Sequence, residues 1–171
     1  MTTTESILSQ LKRECDEAKK QLDAVASRRD AVRLQRQQLI DAADYAQSVL
    51  QMATGRGDLD GMRNATARIA EIKKNRDELF DVIAALSVQH QLLQGKYSEA
   101  LYRWQHEENT VEFLTRRITT LRRELATAQQ RTSAYSVYNN NTSPEALSSE
   151  LRACEDKYLV LAGEGLPPIA A

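Results

Sequence analysis

Large aromatic residues are scarce in this chain: one Trp, two Phe and six Tyr among 171 residues. Alanine supplies much of the 42% apolar content. The bulky side chains that fill a thick globular core are therefore missing, and long solvated helices meeting along thin seams are expected. Chain breakers are just as few, with six Gly and three Pro. The two cysteines, Cys15 and Cys154, make no disulfide framework and no paired metal motif, and a reduced thiol at such positions behaves as a small hydrophobe. No apolar run exceeds the five residues of Val82-Ile83-Ala84-Ala85-Leu86, far short of a membrane span. Charge of one sign is lacking too: 23 basic and 24 acidic residues leave a net of -1, so no global attraction to nucleic acid or an anionic membrane is expected. The polar, acidic N-terminus has no signal-peptide core, which points to the cytoplasm or the inside of a macromolecular particle.

What the chain does have is periodicity. From Met62 to Tyr135 a residue recurs at alternating third and fourth positions without a slip, and 18 of those 22 residues are apolar or aromatic. The exceptions are Arg76, His90, Glu107 and Thr132. Such alternation holds a narrow stripe on one side of a slightly underwound helix, the seam of a left-handed coiled coil. A second seam runs from Leu8 to Ala53, interrupted only by Arg29 and Arg36. The polar seam residues Arg29, Arg36, Arg76 and Glu107 fit register or partner specification better than chemistry.

Between the seams lies Thr54-Gly55-Arg56-Gly57-Asp58. Glycine there takes left-handed angles cheaply, and Asp58 can cap the next helix. Arg56-Gly57-Asp58 spells a cell-adhesion tripeptide, but its residues are those of a turn. The sequons beginning at Asn64, Asn140 and Asn141 are likewise discounted without an export signal. A short connection between long amphipathic helices makes them antiparallel neighbours. Pairing residue i with a residue near 112 minus i exhausts the first helix near position 108. The second helix then needs another cover for Val111, Leu114, Ile118, Leu121 and Leu125.

The C-terminus offers that cover. Ser143-Pro144 is a strong helix start, and Leu147, Leu151, Cys154, Tyr158 and Leu161 keep the same spacing. Residues 109–143 hold five basic and two acidic side chains, whereas 144–171 hold two basic and five acidic ones. The expected fold is all-α: an elongated antiparallel coiled-coil hairpin with a very long second helix, and a short C-terminal helix folding back on it. The hairpin would occupy residues 1–138, with helices over 4–54 and 59–138, a Thr2–Glu5 capping box at its start and a possible break near Gly95. A short helix over 144–162 and an extended tail over 163–171 would follow. Gly95 could instead end a helix and give a three-helix bundle, but the heptad phase is the same on both sides of it.

A second stripe lies off the main seam: Ala85, Val88, Leu92, Gly95 and, beyond Glu99, Tyr102. With Phe80 and Val82 it makes residues 79–93 apolar nearly all round, more than a two-helix seam needs. These seven residues are the candidate partner-binding set. The basic cluster of Arg116, Arg117, Arg122 and Arg123 is the candidate anion or nucleic-acid contact, set against ordinary ion pairing with nearby acids. His90 and His106 have no second metal-binding residue in helical register, no nucleophile is held beside a base, and no phosphate loop exists, so no cofactor, metal or catalysis is expected.

These readings favour a non-enzymatic structural or adaptor protein, a helical rod within a larger protein assembly, with self-association or another protein as partner. A chaperone that clasps a partner is the rival, and a nucleic-acid binder a more distant one. In helix layout the chain looks like the coiled-coil stalks of secretion apparatus and accessory components of phage particles.

Overall fold

The computed structural model of the protein describes residues 5–131, 143–163 and 165–168. It has three helices, α1 (Ile7–Arg56), α2 (Leu59–Arg131) and α3 (Pro144–Ala162). Among the described residues there is no strand. The fold is the expected helical hairpin of α1 and α2 with α3 packed back on it. α2 runs unbroken through Gly95, where a Cβ would meet nothing within 4 Å. An exposed glycine costs a helix only about 1 kcal/mol. Every described position of both long seams is covered or half-covered. Thr132, Tyr135 and the stretch expected to carry the second helix to 138 lie outside the described residues.

The chain divides into two compact units, residues 18–97 and residues 1–17 with 98–171. In the first, α1 ends in a Schellman motif: Gly57 N–H donates to Thr54 O at 3.2 Å and Asp58 N–H to Ala53 O at 3.0 Å. Gly57 takes φ +66°, the left-handed angle this motif needs. Asp58 then caps α2, its Oδ1 accepting from Gly61 N–H at 3.0 Å. Gly61 leaves room for that carboxylate, since a Cβ there would collide with it. Arg56-Gly57-Asp58 is thus the turn itself. Because α1 continues through Arg56, the turn centres between Gly57 and Asp58, which moves the pairing sum from the expected 112 to near 115. Arg36 over Phe80 and Lys19 over Tyr97, at 5.4 and 5.6 Å, both fit that register.

In the second unit α1 starts later than the capping box suggested. Ser6 caps it, accepting from Ser9 N–H at 3.2 Å, while Glu5 pairs with Arg13 at 2.9 Å. Thr2 is outside the described residues. Ser143 caps α3 by accepting from Ala146 N–H at 3.2 Å, with Pro144 at the first helical position. α3 covers the part of α2 that α1 does not reach. Ile118 and Leu121 have no exposed surface, and Leu114, Leu147 and Leu161 are buried with them. Ion pairs flank this seam on both sides: Arg117–Glu150 at 2.6 Å and Arg122–Glu155 at 3.1 Å. They give the expected charge match between 109–143 and 144–171 its atomic form.

At its far end α3 meets the start of α1. A Cβ on Gly163 would stand 3.0 Å from Ser6 Cβ. The described tail, 165–168, has no regular structure, yet Pro167 is buried and its carbonyl accepts from Arg122 Nη1 at 2.5 Å.

Candidate partner interface

α1 and α2 each turn a seam inward, so what remains on their backs is open to other molecules. On α2 the stripe predicted for a partner is open: Val88 is 58% exposed and Leu92 65%. Ala85 and Gly95, at the ends of the same 3-4-3 spacing, are exposed as well. These four residues share one face of one helix within the unit 18–97. Phe80 and Val82 do not continue it. They lie at the flanks of the main seam, and the Phe80 ring carries the Arg36 guanidinium. Tyr102, in the other unit, is 69% exposed and stacked on His106 at 6.2 Å between ring centres.

A complementary feature on α1 escaped the sequence reading. Ala24, Ser27, Ala31 and Leu34 are all exposed, and Leu34 keeps 61% of its surface. They repeat the 3-4-3 spacing one step away from the seam. Three of the four are small, so they add little to an apolar count. The repeated spacing off the main seam was the available signal.

Three of the four clustered arginines are engaged within the chain. Arg117 and Arg122 hold α3, and Arg116 pairs with Glu112 one turn back. Arg123 is exposed. The Arg117 guanidinium has its pKa raised, first by its hydrogen bond to Glu150. Burial pushes the pKa of the Cys154 thiol up. Of the seam arginines, Arg76 pairs with Asp77 at 3.1 Å and Arg29 with Asp30 at 3.7 Å. The buried Nε atoms of Arg29 and Arg36 make no hydrogen bond, that of Arg29 lying 3.7 Å from Asp30 Oδ1. A buried donor without a hydrogen bond costs stability.

Among the described residues no group of His, Cys, Asp and Glu could hold a metal ion, and no helix is long and apolar enough to cross a membrane. The chain matches no protein-family model, and no curated protein or solved structure is significantly similar to it.

Proposed function

We propose that this is a non-enzymatic structural or adaptor protein, which acts by pressing the back of α2 against another protein surface. The observation that carries the reading is a contrast within one helix. Every described seam residue of α2 is buried or half-buried, whereas Val88 and Leu92 on its back stand more than half exposed. Water-facing helix surfaces are normally polar, and a contiguous apolar face marks a contact site. The face lies along one side of a single helix, which suits docking of another helix. Gly95 lets a neighbouring backbone come close.

Replacing Val88 and Leu92 together by glutamate tests the reading. Glutamate is a good helix former and the seam is untouched, so circular dichroism should show unchanged helix content. Two charges placed in an apolar contact should abolish association. Equal association of the variant and the wild type would mean that the face meets only solvent. Collapse of helicity would mean that the face is internal.

A further inference from the structure

We propose that residues 165–168 form a clasp that holds the end of α3 closed on α2, with Arg122 as its catch. These residues have no regular structure, yet Pro167 is buried and Leu166 half-buried. Proline has no backbone N–H, so its carbonyl is the one backbone polar group that burial leaves to satisfy. Arg122 satisfies it, Nη1 donating to Pro167 O at 2.5 Å. The same guanidinium reaches α3, Nη2 donating to Glu155 Oε1 at 3.1 Å. One side chain of α2 thus grips α3 and the segment beyond it together.

The path to the catch is set by the backbone. Gly163 ends α3 at φ +82°, its N–H donating to Leu159 O at 2.9 Å, and Gly165 takes φ +97°. Side chains rarely adopt such angles, so glycine turns the chain here at little cost. Pro167 and Pro168 then have fixed φ, and a residue before proline keeps to extended angles. Leu166 and Pro167 are therefore stiff before they dock, and little conformational freedom is lost in docking. The catch is also shielded. Arg122 and Glu155 keep 20% and 27% of their side-chain surface, against 34% and 46% for Arg117 and Glu150 on the other flank. Water and salt screen the first pair less, so it contributes more than an ordinary surface ion pair. Undoing the clasp lets the last turns of α3 lift with Leu161, which is buried while the clasp is shut. The segment beyond α3 thereby controls whether this part of the apolar seam is open to another molecule.

Hydrogen exchange of the full-length chain tests the clasp. Pro167→Gly removes the ring and the stiffness but keeps the carbonyl, in a segment with no helix to disrupt. Exchange of amides in 155–162 should quicken about tenfold in this variant, while amides in 32–50, in the other unit, stay unchanged. Arg122→Gln should quicken the same amides by at least as much. In the double variant the two effects should not multiply: exchange should match that of the faster single variant, because both changes open one clasp. A product of the two single effects would overturn the proposal in favour of two independent contacts. Unchanged exchange in Pro167→Gly would also overturn it, and that variant decides alone should Arg122→Gln lose helix content by circular dichroism.

Discussion

Leu121→Ala removes three carbon atoms from a side chain with no exposed surface, at the centre of the α3 contact. At about 0.8 kcal/mol per buried methylene, the lost transfer energy is about 2.4 kcal/mol. Incomplete collapse around the void brings the total to roughly 3 kcal/mol, toward the low end for Leu→Ala because a narrow seam can close partly. Most helical stability in a folded chain comes from packing of an apolar face, so α3 depends on its docking. The loss should therefore fall on α3. Hydrogen exchange of amides in 147–161 should quicken on the order of a hundredfold, at about 1.4 kcal/mol per factor of ten. Amides in 32–50, in the other unit, should change little. The exposed control Leu92→Ala should cost under about 0.5 kcal/mol. Uniform acceleration along the chain, or no change in α3, would refute the assignment of α3 as the cover of this seam.

Further outcomes follow from the turn and from Cys154. Gly57→Ala should destabilise by about 1 kcal/mol because of its positive φ, whereas Gly55→Ala, helical and in open space, should stabilise by about 0.5–1 kcal/mol; urea unfolding reads both. Asp58→Ala removes the cap of α2 and should cost about 1 kcal/mol in the same assay. The Cys154 thiol has a raised pKa in the folded chain, so its contribution to α3 docking is present below the ordinary thiol pKa and is lost as pH rises through the raised one. Exchange of α3 should quicken over that alkaline window in the wild type and less so in Cys154→Ala, and equal pH profiles would contradict this.

Much of the fold could be read from the sequence because a coiled coil writes its contacts as spacing. Arg29, Arg36, Arg76 and Glu107 interrupt the seams chemically yet stay half-covered, since neighbouring layers fix the register regardless of one polar side chain. The start of α3 was legible because Ser143 and Pro144 are local signals. The pairing sum was misjudged by about three residues, because two glycines lie near the turn and only Gly57 takes the left-handed angle. The docking of Pro167 on Arg122 was not legible, since a single carbonyl-to-guanidinium bond leaves no periodic trace. Nor was the meeting of Gly163 with Ser6, which lie far apart in sequence and carry no local signal for it. For the candidate interface, Val88 and Leu92 announced themselves by size, whereas Phe80 and Val82 were assigned to that stripe on hydrophobicity alone and lie at the seam's flanks.

The central claim is the proposed contact role of the back of α2. Sedimentation equilibrium of the wild type and of the Val88/Leu92 double glutamate variant, across a hundredfold range of concentration, tests it most directly. The wild-type mass should climb above the 19.3 kDa of one chain while the variant stays at that value with its helix content intact. Superimposable mass curves for the two proteins would contradict the account.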